Sequence, residues 1–266
     1  MLTAEQVAFF KENGYVKGGK LLEPDEVVRL RDRLDAVLAG ASDTGDKVEY
    51  AETLNKRDPA AGGVLQVVNI WKQDTLFRRH HSNLKLVESA RQLTGASTLR
   101  IFHDQILSKP PKNGRPVPWH QDYGYWQMVT PADLVTCWVA LDDATIANGC
   151  MNVVPGSHKW GLLAEHTDLD SDDPDALLKA FTPPDGAKVE KVPVEIPAGH
   201  CMWHHCLTLH GTYENRTDKP RRAVITHLMP GDSRYDAKHK HLMADYCNAE
   251  GLVDGAMLQG KHFPEV

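Results

Sequence analysis

The apolar positions among the first 95 residues recur every three or four residues, which is the spacing of one helix face. Thr3, with Gln6 three residues later, has the pattern of a helix N-cap. A second helix is predicted from Pro24 to Gly40, and a third is predicted to stop at Gly95. The buried faces of the second and third helices are predicted to comprise Val27, Leu30, Leu34, Val37 or Leu38, Leu84, Val87, Ala90 and Leu93.

After Gly95 the pattern changes to short apolar or alternating runs separated by Pro and Gly, such as DLVTCWVALDD, CMNVVPGSH and RRAVITHLMP. Regularly spaced runs of this kind predict the strands of a sandwich or barrel. The predicted fold class is α+β, mainly β: a double-stranded β-helix core of the jelly-roll, cupin-like type with flanking N-terminal helices. One domain is expected over 1–266, with helical support over about 1–95, the core over about 96–232 and a C-terminal extension over 233–266.

Charged residues make up 25% and hydrophobic residues 41% of the chain, as in ordinary globular proteins. The formal net charge of −6 provides no positive field that would attract nucleic acid or an acidic membrane surface. Five scattered cysteines without a CxxC pair favour a reducing compartment over a disulfide framework. No apolar run is long enough for a signal peptide or a membrane span, so the expected location is cytoplasmic. The sequence does not indicate an oligomeric state.

The segment PWHQDYGYW, residues 118–126, contains His120 and Asp122 one residue apart. Non-haem iron(II) oxygenases bind their metal with two histidines and one carboxylate and leave other coordination positions open. On a strand, residues i and i+2 point to the same side, so both side chains could reach one ion. A second His-x-Asp pattern, at His166 and Asp168, lies at the edge of an acidic run and is the weaker candidate.

A third ligand is expected from a distant strand, and the segment 197–227 is rich in histidine. His210 is the leading candidate because it follows the apolar run CLTL and precedes Gly211, where backbone can approach a ligand closely. His204 and His205 are rivals, and as neighbours on a strand they point to opposite faces.

Arg221 lies eleven residues after His210, across a polar turn, where the next strand can return past the metal. An arginine directed into a barrel needs a carboxylate or phosphate partner, because an unpaired buried guanidinium is costly. Thr212 points the same way as His210 and could donate a hydroxyl hydrogen bond to the same partner. Arg222 is expected at the surface by strand alternation.

Together these residues resemble the phytanoyl-CoA dioxygenase family of iron(II)- and 2-oxoglutarate-dependent oxygenases. The resemblance covers nearly the whole chain, since FFKENGYV, SKPP, WHQD, TCWVALDDATIANGCMNVVPGSHKWG, PAG and LHGTYENRTDKPRRAV occur in order. It implies that iron is bound by His120, Asp122 and His210, and that Arg221 binds the distal carboxylate of 2-oxoglutarate. The other co-substrate positions that it implies are Thr212, Trp138, Gln105 and Gln66.

The implied activity is the oxidation, most directly the hydroxylation, of a small-molecule metabolite by O2, with succinate and carbon dioxide released from 2-oxoglutarate. Asp122 supports this activity, because halogenating relatives replace the carboxylate with a small residue. Substrate contacts are expected at Trp126, Tyr123, Asn152 and His205. No marked basic cluster for coenzyme A is visible, so phytanoyl-CoA itself is not the expected substrate.

Two other functions stay open on the sequence alone. A cupin-like isomerase or hydrolase could use the same three ligands for zinc or manganese without 2-oxoglutarate. A small-molecule binding protein could share the fold without catalysing a reaction. The long segment 160–189 is a candidate lid, because long loops often carry binding function.

Overall fold

The computed structural model describes residues 1–45, 50–54, 63–112, 114–164, 167–169, 171, 173–184 and 186–266. His166, of the second His-x-Asp pattern, lies outside these residues. The α-helices of the described part are α1 (Ala4–Asn13), α2 (Pro24–Leu38), α3 (Ile70–Gln73), α4 (Thr75–His81), α5 (Leu84–Thr94), α6 (Tyr123–Trp126), α7 (Ala176–Ala180) and α8 (Ala244–Ala249). Single 3-10 turns occur at Ile146–Asn148 and Ser157–Trp160.

The strands of the described part are β1 (Tyr15–Lys20), β2 (Tyr50–Leu54), β3 (Val64–Val68), β4 (Leu99–Lys109), β5 (Val117–His120), β6 (Val129–Thr130), β7 (Val135–Ala140), β8 (Met151–Val153), β9 (Val192–Val194), β10 (His200–His205), β11 (His210–Thr212), β12 (Arg221–Pro230) and β13 (Arg234–Tyr235). Within the described residues they form a seven-stranded sheet in the order β1-β10-β7-β12-β4-β3-β2 and a four-stranded sheet in the order β5-β11-β8-β9. A short pair, β13-β6, lies apart from both. The pairings are antiparallel throughout.

The two larger sheets pack against each other, which is the arrangement of a jelly roll. Trp138, Met202 and Ile225 of the seven-stranded sheet belong to one buried cluster with Met151 and Val153 of the four-stranded sheet. Residues two apart on a strand share a face, so the same inward faces also carry polar side chains toward the space between the sheets.

The other face of the seven-stranded sheet is covered by the N-terminal helices. Cys137 and Val139 of β7 pack in one cluster with Leu30 and Leu34 of α2 and Leu86 of α5. Both faces of β7 are therefore covered, and all six of its residues are buried. This double burial explains why the run VTCWVA is apolar without alternation.

The helix boundaries agree closely with the sequence. Thr3 and Gln6 form the predicted capping box of α1, and Gly95 ends α5 in the left-handed conformation, with φ 72°. The prediction that Leu84 is buried is wrong, because this side chain is 73% exposed. Leu84 is the first residue of α5, and the face that meets the sheet begins two residues later, at the fully buried Leu86.

The N-terminal third supplies strands as well as helices. Strand β1 pairs with β10, with Val16 opposite Trp203, and forms one edge of the seven-stranded sheet. Strands β2 and β3 extend the other edge beyond β4. The segment 1–95 is therefore part of the larger sheet and not only a helical layer outside it.

The C-terminal segment covers one end of the sandwich. Met243, Cys247 and Phe263 are fully buried and share a cluster with Phe102 of β4 and Trp126 of α6. This segment therefore encloses part of the protein interior. The pattern of strands along the sequence does not predict this position. None of the described helices combines the length and the apolar character that crossing a membrane requires.

We expect the free energy of unfolding to fall as the pH falls from about 7 to about 5. Burial lowers the pKa of His80 and of His103 to about 3. Below the ordinary histidine pKa the unfolded chain therefore takes up protons that the folded chain does not, and stability rises with pH between about 3 and 6.5. Each histidine should contribute roughly 1–2 kcal/mol of this loss at pH 5, measurable by urea denaturation.

The matched variants are His80→Leu and His239→Gln. Among the described residues both ring nitrogens of His80 are buried without a hydrogen-bond partner, so an apolar side chain is expected to fit there and to weaken the pH dependence. His239, which is only partly buried beside Asp236, serves as the matched surface histidine. A wild-type stability that is constant between pH 7 and pH 5 would contradict the prediction.

Candidate metal centre

Two histidines and one aspartate meet where β5 pairs with β11. His120 ends β5, His210 begins β11, and the two residues face each other in the antiparallel ladder. The Nε2 atoms of His120 and His210 lie 3.6 Å and 3.5 Å from Oδ1 of Asp122. All three side chains are buried, and one ligand atom from each lies within 4.8 Å of the others. This spacing suits the binding of a single metal ion.

Hydrogen bonds to the backbone fix which nitrogen each histidine presents. Nδ1 of His120 lies 2.8 Å from the carbonyl oxygen of Pro118, and Nδ1 of His210 lies 2.9 Å from that of Thr208. A carbonyl oxygen only accepts, so each Nδ1 carries the proton and each Nε2 carries a free lone pair. Both lone pairs are thus available to a metal.

The backbone at Asp122 differs from the predicted strand. Asp122 has right-handed helical dihedrals, φ −54° and ψ −39°, and directly precedes α6. His120 and Asp122 therefore converge because the chain leaves β5 and turns, and not because they alternate along one strand. At Gly211 an added Cβ would lie 3.1 Å from the backbone nitrogen of Trp119, so the missing side chain makes room for β5.

The charges of the three ligands suit a divalent cation. Burial alone would raise the pKa of the Asp122 carboxyl, but the imidazoles of His210, His120 and His204 outweigh burial and hold that pKa well below its ordinary range. Burial and the neighbouring His120 lower the pKa of His210 well below its ordinary value. The set therefore offers one carboxylate oxygen and two imidazole nitrogens, the donor types of the facial triad of non-haem iron(II).

The second carboxylate oxygen of Asp122 is held by two further side chains. Oδ2 lies 3.0 Å from Nε2 of His204 and accepts a hydrogen bond of 3.3 Å from the Thr136 hydroxyl. Thr136 and His204 face each other across β7 and β10. Partners of this kind orient a metal-binding carboxylate and influence metal affinity.

A chain of hydrogen bonds continues from Thr136 across the sheet. The Gln105 amide nitrogen lies 3.0 Å from Nε2 of His227, and Nδ1 of His227 lies 2.9 Å from the Thr136 hydroxyl. An amide nitrogen only donates, so Nε2 of His227 accepts and its Nδ1–H donates to Thr136. The Gln66 amide donates to the Gln105 carbonyl at the far end. Every bond in the chain thus donates toward Asp122.

A cavity of about 280 Å³ contains the triad and continues between the sheets. Besides the triad, its described lining includes Gln66, His103, Gln105, Tyr125, Trp126, Thr136, Trp138, Met151, Leu169, His204, Gly211, Thr212, Arg221, Ile225, His227, His241 and Leu242. The lining combines aromatic and aliphatic side chains with a few polar groups, as expected of a small-molecule site.

Arg221 is a buried cation in this cavity. Its side chain is 1% exposed, and its Nε and Nη1 atoms have no hydrogen-bond partner within the described residues. Its guanidinium lies 5.3 Å from the centre of the Trp138 ring. Burial lowers its pKa to about 10, so the group stays charged at neutral pH. An orphaned guanidinium of this kind fits a carboxylate, which it can bind with two parallel hydrogen bonds.

The cavity brings together most of the residues predicted from the sequence. The triad, the five predicted co-substrate positions and the predicted substrate contact Trp126 all line it. Arg222 points away from the cavity, as expected, and its Nε lies 2.9 Å from Oδ2 of Asp142.

Three predicted substrate contacts are not among the described lining residues. Tyr123 donates its hydroxyl to the carbonyl oxygen of Val129, and Tyr125 lines the cavity in its place, because α6 replaces strand alternation by a helical turn. Asn152 donates to the carbonyl oxygen of Cys150, two residues back on its own strand. His205 lies on the opposite face of β10 from His204, next to His158.

Two of the lining residues that sequence reasoning missed follow strand alternation. His227 lies six residues after Arg221 on β12, and His103 lies two residues before Gln105 on β4. His204 of β10, considered as a rival to His210 for the third ligand, lines the cavity as a partner of Asp122. The even spacing from Arg221 and from Gln105 was a usable signal for His227 and His103. No comparable signal existed for His241 and Leu242, which come from the C-terminal segment.

Comparison with known families agrees with this site. The model of the phytanoyl-CoA dioxygenase (PhyH) family matches residues 10–223. The chain belongs to this family. Family membership confirms the jelly-roll fold and the enzyme class predicted from the sequence, an iron(II)- and 2-oxoglutarate-dependent dioxygenase.

Several relatives of this PhyH-family chain are similar over almost its whole length. A probable phytanoyl-CoA dioxygenase of Caenorhabditis elegans is 26% identical over 268 residues, which covers 97% of this chain and 82% of that protein. The non-haem α-ketoglutarate-dependent carbocyclase SnoK of nogalamycin biosynthesis is 27% identical, with a TM-score of 0.80 and coverage of 100% and 96%. The epimerase SnoN, solved with Fe3+, α-ketoglutarate and nogalamycin RO, is 27% identical, with a TM-score of 0.76 and coverage of 98% and 97%.

We expect His204→Leu to weaken binding of iron(II) roughly 10- to 100-fold, because Asp122 loses one of the donors that orient it. His204→Gln should restore much of the affinity, since its amide can donate to the same oxygen. The matched control is His205→Leu, on the outer face of the same strand, which should bind iron(II) like the wild type. Anaerobic calorimetric titration measures all four proteins. Equal affinities of His204→Leu and His205→Leu would show that His204 does not support the metal.

Proposed function

We propose that this protein is an iron(II)- and 2-oxoglutarate-dependent dioxygenase that hydroxylates a small-molecule metabolite. The observation that carries the proposal is the presence of Arg221, a buried cation with two orphaned nitrogens, in the same cavity as His120, Asp122 and His210. A metal site alone would suit a hydrolase or an isomerase equally well. The additional anion site favours an enzyme that binds a dicarboxylate co-substrate.

His120, Asp122 and His210 would bind iron(II) through Nε2, a carboxylate oxygen and Nε2. Iron(II) with bound 2-oxoglutarate supplies the activation of dioxygen, with release of succinate and carbon dioxide. These three side chains would supply only three ligands, so the ion would keep coordination positions for the co-substrate and dioxygen. Thr136 and His204 hold the second oxygen of Asp122 and so preserve the orientation of the carboxylate.

Arg221 would bind the distal carboxylate of 2-oxoglutarate. Thr212 lines the same region, although its hydroxyl already accepts a hydrogen bond of 3.2 Å from the backbone nitrogen of Val117. The Thr212 hydroxyl still has its own proton to donate to a carboxylate. The Trp138 ring lies against the guanidinium, and Gln105 and Gln66 line the same cavity.

The substrate is proposed to bind on the side of the triad lined by Trp126. Leu169 of the segment 160–189 lines the cavity, and the Tyr125 hydroxyl donates to the carbonyl oxygen of Thr167 in that segment. These contacts support the prediction that the segment covers bound substrate. The single domain over 1–266, the cytoplasmic location and the absence of nucleic-acid and membrane partners stay predictions from the sequence.

Anaerobic addition of iron(II) and then 2-oxoglutarate to the metal-free protein is expected to produce the visible charge-transfer band of a chelated keto acid. His120→Ala should abolish the band, because it removes a metal ligand. Arg221→Ala should raise the 2-oxoglutarate concentration required by roughly 10- to 150-fold, since hydrogen bonds to charged groups contribute about 1.5–3 kcal/mol.

The matched control is Arg222→Ala, the adjacent arginine on β12, which pairs with Asp142 outside the cavity and should leave the titration unchanged. In air, succinate should form from 2-oxoglutarate. A folded protein that binds iron(II) without producing the band would favour a non-oxidative metal enzyme. Binding of small molecules without any turnover, and equally well in Asp122→Ala, would favour a binding protein.

A further inference from the structure

His103 is a second buried group in the cavity whose bonding is incomplete. It lies on β4, is 4% exposed and lines the cavity. Its Nδ1 lies 3.4 Å from the carbonyl oxygen of Asp104, whereas its Nε2 has no hydrogen-bond partner within the described residues. A buried polar atom without a partner is uncommon in a folded protein and calls for an explanation.

The unpaired atom of His103 is a hydrogen-bond acceptor. A carbonyl oxygen only accepts, so the proton of the neutral ring is on Nδ1 and Nε2 carries a lone pair. Burial lowers the pKa of His103 to about 3, which keeps the ring neutral. A molecule that satisfies Nε2 must therefore bring a hydrogen-bond donor.

The surroundings of His103 are mainly aromatic, and Asp122 is the one charged group that acts on its ring among the described residues. Its ring centre lies 4.4 Å from that of His227, 5.5 Å from that of Trp126 and 5.7 Å from that of His241. Both nitrogens of His227 are already hydrogen bonded, to Gln105 and Thr136, so His227 adds ring surface and no free polar atom.

His241 offers the complementary hydrogen-bonding character. Its Nδ1 accepts a hydrogen bond of 3.1 Å from the backbone nitrogen of Met243, so the proton of the neutral ring is on Nε2. His103 and His241 thus present one acceptor and one donor among the lining residues. A hydroxyl group, which both donates and accepts, matches this pair.

The described lining residues carry charge only at Asp122 and Arg221, the metal ligand and the co-substrate partner. His103 and Arg221 lie at different ends of the cavity. In the β4–β12 ladder His103 is opposite His227, whereas Arg221 is opposite Lys109. Six residues of strand separate the two positions, or roughly 20 Å. A molecule at His103 would not compete with 2-oxoglutarate at Arg221.

We infer that the substrate is a small, uncharged molecule that donates a hydroxyl hydrogen bond to Nε2 of His103 and packs against Trp126. This inference rests on the proposed function and names the substrate class for the same site. A cavity of about 280 Å³ that also holds 2-oxoglutarate leaves room for a small molecule. A charged head group would lose its hydration at this end, and Asp122, the carboxylate that acts on His103, is already held by His204 and Thr136 and assigned to the metal.

Calorimetry on the anaerobic protein with iron(II) and 2-oxoglutarate tests the inference. The affinities of four probe molecules that share a cyclohexane ring are compared. These are cyclohexanol, its methyl ether, cyclohexanecarboxylate and cyclohexylammonium. Cyclohexanol is expected to bind about 3- to 10-fold more tightly than the ether, the effect of one neutral hydrogen bond. The two ions are expected to bind more weakly than the alcohol.

His103→Phe keeps an aromatic ring but removes the acceptor, so the alcohol should lose its advantage over the ether. His103→Gln keeps an acceptor and should retain part of the preference, and His205→Phe on the outer face of β10 should retain all of it. Equal binding of alcohol and ether by the wild type, tighter binding of either ion, or no binding of the alcohol would overturn the inference.

His103 is not proposed to contact iron or 2-oxoglutarate, so the charge-transfer band should persist in His103→Phe. Absence of the band from the wild type would overturn the proposed function instead.

Discussion

Two opposite charges are buried in one cavity without forming an ion pair with each other. Because they are separate, each charge needs its own partner, and the ligands of the site follow from this. Asp122 is surrounded by imidazoles and a hydroxyl, and Arg221 lies against Trp138 with two nitrogens that no described residue pairs. A buried charge is tolerable only when a counter-charge or hydrogen bonds compensate it. Asp122 therefore calls for a cation and Arg221 for an anion. Iron(II) and a dicarboxylate meet both requirements, and each requirement taken alone would leave the other charge unexplained.

A hydrogen-bond chain that starts at Gln66 supports the Asp122 end of this arrangement. Each amide and each ring in the chain has one allowed orientation, because its donors and acceptors are already assigned by its neighbours. The chain crosses β3, β4, β12 and β7, so the sheet itself sets the position of the carboxylate. Rigid support of this kind is what a metal site needs if its open positions are to stay in place.

Much of this arrangement could be predicted because strands impose a period of two. Arg221 inward and Arg222 outward follow from alternation on β12, and the structure confirms both. The buried pattern of α2 followed equally directly from helical periodicity. His210 could be chosen because an apolar run and a glycine flank it, and at Gly211 a side chain would crowd the backbone of β5.

The remaining residues could not be predicted because they depend on where a regular period ends or on which face a strand presents. After His120 the chain enters α6, so Tyr125 and not Tyr123 faces the cavity. Strand alternation predicts that His204 and His205 point in opposite directions, but it does not tell which one points inward. The register with β7 decides this, because it places His204 opposite Thr136. For His241 no local pattern exists, because its place beside His103 results from tertiary packing of the C-terminal segment. The residues proposed to bind iron and co-substrate are therefore encoded in motifs, whereas those proposed to select the substrate are encoded in register and in long-range packing.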